Sequence, residues 1–396
     1  MLQLQFVNFK AGSYMVVEGK GNVDMFYIIQ KGLVVCNRIG DPNSSRLGPG
    51  DFVAVVSCFA NRPQIENAIC ATDVTAIAVR KDQYPELIAA NTPVALKIIK
   101  AFANRMRKMN EMLTKATLNN VVAENPIQVF NVAQYYEKAG KMNIASYAYY
   151  QFLKTRPVGA EAEVAKRRFI ALRQTTKPVF LEPTADQARE YPADTMIFSE
   201  SQGGAEMYII QTGKVEISKV VDGNEVVLAV LKQGDMFGEM ALLENKPRSA
   251  SAIARENCRL LVVNRANFNQ MVTTQPQLIA RLTTTLAERL WSMSRQLDNA
   301  SLRVPMQKML DMLCLQLEKQ KLSILNGKNP MLTEFSPQDI ANMCGIPHDQ
   351  QPKAIYDFQQ LTMLAIQNNK IFIKDCTEVF KQAAFYKKQA QEMGNR

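Results

Sequence analysis

The chain has 396 residues, 47% of them hydrophobic, and a net charge of +10 with a single histidine. That length suggests two to four domains with ordinary cores. One histidine, His348, leaves almost no material for His-based metal sites or for Ser-His and Cys-His nucleophile pairs, so no catalytic residue, metal or cofactor is expected and the chain reads as a non-enzyme.

The N-terminus, MLQLQFVNFKAG, lacks a charged region followed by an apolar run, and no stretch of about 18 apolar residues occurs, so no membrane association is expected. Seven cysteines, at 36, 58, 70, 258, 314, 344 and 376, contain no CxxC pair. They read as reduced thiols of a cytoplasmic protein.

Residues 1–118 contain short β-branched and aromatic runs broken by Gly, Asp and Asn, the pattern of a β-roll or jelly-roll barrel. Ile98, Phe102, Met106, Met109 and Leu113 then follow at spacings of four, four, three and four, a helical seam that wants a partner. The basic excess sits in two helical stretches. Residues 97–115 carry six Lys or Arg against Glu111, and residues 154–177 carry seven against Glu161 and Glu163. Solvated helix faces are the plain reading, and attraction of nucleic acid or an acidic protein the sharper one.

Residues 119–178 read as a helical hairpin inserted between two barrels, of two or three helices. Tyr136, Gly140, Ala145, Tyr149, Phe152 and Pro157 match the spacing of one tetratricopeptide repeat, with Pro157 ending its second helix. Residues 125–175 are therefore a candidate docking surface for a protein partner, with a spacer as the competing reading. Residues 178–183 look like a linker.

Residues 179–300 repeat the first barrel. Tyr27-Ile28-Ile29-Gln30-Lys31-Gly32 recurs as Tyr208-Ile209-Ile210-Gln211-Thr212-Gly213, Gly50-Asp51 as Gly234-Asp235, and Asn61-Arg62-Pro63 as Asn245-Lys246-Pro247. The second copy alone carries Phe237-Gly238-Glu239-Met240-Ala241-Leu242 followed by Pro247-Arg248-Ser249-Ala250-Ser251. A glycine that lets backbone approach, a carboxylate that accepts from a hydroxyl and a guanidinium fork suited to phosphate meet around one short turn. Leu282, Leu286, Leu290, Met293 and Leu297 then repeat the seam of the first helix.

These residues resemble the phosphate-binding cassette of the cyclic-nucleotide-binding domain family, in particular its cAMP receptor protein branch. The resemblance implies an α+β fold of two β-roll or jelly-roll barrels, each closed by a long helix, with the tetratricopeptide-like insert between them and a degenerate winged helix-turn-helix at the C-terminus, residues 301–396. It implies that Glu239 holds a ribose 2′-hydroxyl and that Arg248 pairs with a cyclic phosphate. The N–H groups near Gly238 and Ser249 would complete the anion site. The implied ligand is a cyclic nucleotide, cAMP favoured over cGMP, with a cyclic dinucleotide as the alternative. At the matching positions the first copy has Ala54, Val55 and Gln64. It is expected to keep the barrel and to lose the usual ligand, with a changed ligand as the competing reading.

By the same resemblance, Met293 and Ser294 fall where the branch contacts the purine, one set reaching across a dimer. Either a two-chain homodimer or an intrachain pseudo-dimer of the two seams is expected, with Asn110 in the partner place of Ser294. Ser336 is a candidate N-cap with Pro337 at the first helical position, Gly345 suits the turn, and residues 370–374 suit a wing strand. A further helix is expected over residues 378–391. The base-reading positions fall on His348, Asp349 and Lys353, weaker donors than the branch uses. Pro352 must either start the helix or kink it. Two outputs stay open: transcription regulation through DNA, or action on a protein partner without sequence-specific DNA binding.

Overall fold

The computed structural model describes residues 4–21, 24–38, 44–118, 127–177, 181–182, 186–221, 223–244, 246–320 and 329–394. Asn245 of the repeat and most of the expected linker at 178–183 lie outside them. The chain divides into two compact units, Met1–Met109 with Arg265–Ser294, and Asn110–Asn264 with Arg295–Arg396.

The first unit is built on a barrel of two four-stranded sheets. One runs Gln5–Phe9, Val74–Arg80, Met25–Lys31, Phe52–Val53; the other runs Tyr14–Val16, Asn67–Cys70, Val34–Asn37, Ser44–Leu47. All pairings are antiparallel. Alternating burial, as in Val34 and Cys36 against Val35 and Asn37, turns one strand face into the core. Helices Tyr84–Ala90 and Thr92–Leu118 follow. The expected seam is buried at Ile98, Phe102, Met106 and Met109.

The same unit contains residues 276–294 of the long helix Pro276–Ala300, with Leu282, Leu286 and Leu290 almost fully buried. This helix meets the first barrel at named points. The Tyr84 hydroxyl lies 3.1 Å from Thr283 Oγ1. The Arg62 guanidinium stands 4.8 Å over the Trp291 ring. Arg38 Nη2 donates to the Ser294 carbonyl at 3.5 Å.

The second unit holds a barrel of the same topology. Its sheets run Ala188–Tyr191, Cys258–Asn264, Glu206–Thr212, Met236–Phe237, and Thr195–Phe198, Ser251–Ala254, Val215–Val221, Asn224–Leu231. Even the irregularities repeat: the register shifts between Ile29 and Lys31 and between Ile210 and Thr212. Gly32 and Gly213 then turn the chain at φ 96° and 87°, where a Cβ would collide with the carbonyl of Asp73 or Asn257, so only glycine fits either turn.

The expected hairpin is extended by a third helix: Gln128–Lys138, Met142–Thr155 and Ala160–Arg173 form the insert, each packed on the next. Gly140 turns the chain at φ 77°, and the second helix ends before Pro157. The insert and the second barrel share one apolar core: Tyr136, Ile144, Tyr147 and Phe152 cluster with Met196, Val220 and Ile253.

The C-terminal part has helices Pro305–Lys319, Pro337–Met343 and Gln351–Gln359, a three-stranded sheet (Met331–Leu332, Lys370–Ile373, Leu364–Gln367), and a last helix, Cys376–Gly394. Ser336 caps its helix as expected, in a reciprocal box with Asp339. Pro352 sits in the first turn of its helix, where its missing N–H costs nothing, so the helix starts there and does not kink. Asp311, buried on Pro305–Lys319, is held by Arg295 (3.3 Å), Lys387 (2.5 Å) and Asn299 (3.0 Å). That cluster fixes the end of the long helix to the last helix of the chain.

At the junction of insert and barrel, Glu200 is 1% exposed. Its Oε1 accepts from Gln128 Nε2 and from the Val220 N–H, both at 3.0 Å, and Lys219 adds a favourable charge. Burial outweighs these and raises its pKa to about 7 from an ordinary 4.5. The folded chain therefore keeps a proton that the unfolded chain releases. Stability should fall as pH rises from about 4.5 to about 7 and level off above, by on the order of 3 kcal/mol from this group. Glu200→Gln keeps the acceptor and should flatten that part of the curve in urea unfolding across this range; an unchanged slope would contradict the assignment.

Candidate functional site: the Arg248 pocket

The cassette lies where strand Met236–Phe237 pairs with Glu206–Thr212 and hands the chain to the short helix Glu239–Glu244. Gly238 makes the corner at φ 78°. A Cβ there would lie 2.7 Å from Arg248 Nη1, and one on Gly204 would lie 2.7 Å from Arg248 Nη2. Both glycines are thus needed for backbone to close on the guanidinium.

Arg248 is 5% exposed. Its Nη1 donates to the Gly238 carbonyl at 2.7 Å, and its guanidinium stacks 4.1 Å from the centre of the Phe198 ring and 5.9 Å from that of Tyr208. Its Nε has no hydrogen-bond partner. Burial lowers its pKa, opposed by Tyr208, Tyr147, Glu206 and Glu239. A buried cation bonded to a carbonyl, with a donor left over, is incompletely satisfied and suits an anion.

The other cassette residues gather around it. Glu239 is 2% exposed at the first helical position. Phe237, Met240, Ala241 and Ala250 are buried, and Ser249 Oγ points to Met240 Sδ at 3.4 Å. Phe198, Tyr208 and Phe237 form an aromatic floor with centroids 5.2 to 5.9 Å apart. Arg189 and Glu206 make a two-pronged pair at 2.9 Å, and the Tyr208 hydroxyl donates to Glu206. Sequence reading missed Phe198, Gly204, Glu206, Tyr208 and Arg189, although Gly203-Gly204 was a visible sign of close backbone approach.

The first barrel keeps the backbone of this site without its chemistry. Ala54 holds the left-handed φ of Gly238, at 65°, a conformation that costs an alanine about 1 kcal/mol or more. Gln64 pairs through Gly19 N–H to its carbonyl and its own N–H to Lys20 O. Arg248 does the same with Ser201 and Gln202. Val55 replaces the carboxylate, and the 4% exposed Gln64 has an Nε2 without a partner.

The remaining expected site residues lie elsewhere. Met293 and Ser294 are buried on the long helix within the first unit. Asn110 is buried in the second. His348 and Asp349 are exposed in the turn before Gln351–Gln359, and Lys353 is exposed on that helix. Among the described residues, no helix is long and apolar enough to cross a membrane, and no His, Cys, Asp and Glu group could hold a metal ion. All seven cysteines are free and buried.

Comparison with known proteins agrees with this geometry. The Mycobacterium tuberculosis CRP-like cAMP-activated global transcriptional regulator is 26% identical over 199 residues, 50% of this chain and 88% of that protein. The Thermus thermophilus cyclic AMP receptor protein is 36% identical over 113 residues, 28% of this chain and 52% of that one. The cAMP-dependent protein kinase regulatory subunit of Mycosarcoma maydis is 41% identical over 80 residues, 19% of this chain and 15% of that one. These relatives are regulators by name. The family described as cyclic nucleotide-binding domain matches residues 6–91 and again residues 188–275, so the chain carries that domain twice.

Proposed function

We propose that the chain is a cAMP-responsive regulator with one live pocket, in the second barrel, and that its output is control of transcription. The observation that carries this is Arg248, a buried guanidinium with an unpartnered Nε beside Gly204, Gly238 and Glu239. A cyclic phosphate would complete its hydrogen bonds, and the Glu239 carboxylate would accept from the ribose 2′-hydroxyl. The purine contacts assigned to Met293 and Ser294, and the preference for cAMP over cGMP, rest on the sequence resemblance.

We read the chain as domains 1–118, 119–178, 179–300 and 301–396. The first barrel serves as a built-in partner: Tyr84 and Arg62 meet Thr283 and Trp291 of the second barrel's long helix. These contacts favour reading the chain as an intrachain pseudo-dimer over a two-chain homodimer. The Asp311 cluster is the point at which the long helix would move the C-terminal domain. The capped helix 337–343, the helix 351–359 and the hairpin 364–373 are read as a winged helix-turn-helix, and the insert as one tetratricopeptide-like unit. Free, buried thiols fit a cytoplasmic protein. The second output, a protein partner without DNA reading, is favoured by the weak set His348, Asp349 and Lys353 and by residues 125–175 as a docking face.

Calorimetry with cAMP should show Arg248→Ala weakening binding about 100-fold and Glu239→Ala about tenfold. Unchanged affinity in both would exclude this pocket. In gel shifts with genomic fragments, a DNA regulator should retard DNA only with cAMP, and the shift should weaken steeply as salt rises. No shift at low salt, with or without cAMP, would move the output to a protein partner.

A further inference from the structure

We propose that the helical insert is part of the frame of the nucleotide pocket: Tyr147 and Gln128, on two different insert helices, position Arg248 through the loop at residues 199–202. This rests on the reading of Arg248 as the phosphate ligand.

The main chain of Arg248 is clamped on both sides by that loop. Its N–H donates to the Gln202 carbonyl at 2.9 Å, and its carbonyl accepts from the Ser201 N–H at 2.8 Å. The guanidinium can only be as well placed as residues 201 and 202. The insert holds both ends of the loop. The Tyr147 hydroxyl donates to the Ile197 carbonyl at 3.1 Å and accepts from Gln202 Nε2 at 3.2 Å. Gln202 Oε1 is then left to accept from the Ser199 N–H at 2.9 Å. One helix away, Gln128 Nε2 donates to Glu200 Oε1 and to the Val220 carbonyl, at 3.0 and 2.6 Å. Glu200 in turn donates its N–H to Ser251 Oγ at 2.9 Å. Tyr147 and Gln128 are both buried, so these bonds form away from competing water.

The loop needs holding. Ser201 has φ 61°, a left-handed conformation unfavourable for serine. The matching residue of the first barrel is Gly19, at φ 73°, which adopts it without penalty. The first barrel also has Val17 and Lys20 where the second has Ser199 and Gln202. The strained loop and its tethers occur in the copy that keeps the arginine. The copy that has lost the arginine has a relaxed loop with neither tether residue.

Loss of a tether leaves the loop to be ordered when the nucleotide binds, and that ordering subtracts from affinity. Calorimetry on the full chain with cAMP should show Tyr147→Phe weakening binding about three- to tenfold. Gln202→Leu breaks the same link from the barrel side and should give a similar loss, with little added in the double variant. In an Arg248→Lys background, which keeps the charge and loses the fork, Tyr147→Phe should add less than about twofold, because the two act on one contact. Wild-type affinity in Tyr147→Phe and Gln202→Leu, or an undiminished loss in the Arg248→Lys background, would overturn the positioning role while leaving the pocket intact. No cAMP binding by the unmodified chain would instead remove the pocket reading itself, and this inference with it.

Discussion

A guanidinium taken out of water must be satisfied by its surroundings, and the second barrel is organised around that requirement at Arg248. Two glycines bring carbonyl and chain close, the Phe198 and Tyr208 rings stand against the guanidinium, and Glu239 and Glu206 supply opposing charge. The satisfaction is incomplete, since Nε has no partner. An anion that supplies the missing acceptor would bind with more than simple charge attraction. It would relieve a cost already present in the fold.

The duplicated barrel shows how little of this is required for folding. Strand order, bulges, the glycine turns and the backbone clamp on residue 64 or 248 are common to both copies. Ala54 even keeps a left-handed φ better suited to glycine. Packing and backbone hydrogen bonds preserve that trace without the glutamate and arginine side chains of the second copy. What the first copy gains is surface for another part of the chain, with Arg62 on Trp291 and Tyr84 on Thr283. Its Arg62 and Tyr84 meet a helix, where the second copy keeps a buried arginine.

The cassette was legible because glycine, glutamate and arginine lie in one contiguous stretch, residues 237–251, which resembles the family's motif. The long seams were legible through their three-and-four periodicity, and the Ser336 cap through its local capping chemistry. Phe198 and Tyr208 were not, because they reach Arg248 from other strands, and neither were Tyr147 and Gln128, which hold the loop at residues 199–202 from the insert. No local pattern marks a tyrosine that bonds across a shared core. Pro352 could be read as a helix start or a kink, and capping geometry selects the start. That choice leaves His348 and Asp349 in the preceding turn, a placement that residue type alone does not specify.

The central claim is one live site and one built-in partner per chain. Sedimentation equilibrium of the full chain saturated with labelled cAMP tests both parts together. The account predicts a single species near 44.5 kDa that carries one nucleotide. A two-chain species, or two nucleotides per chain, would contradict it.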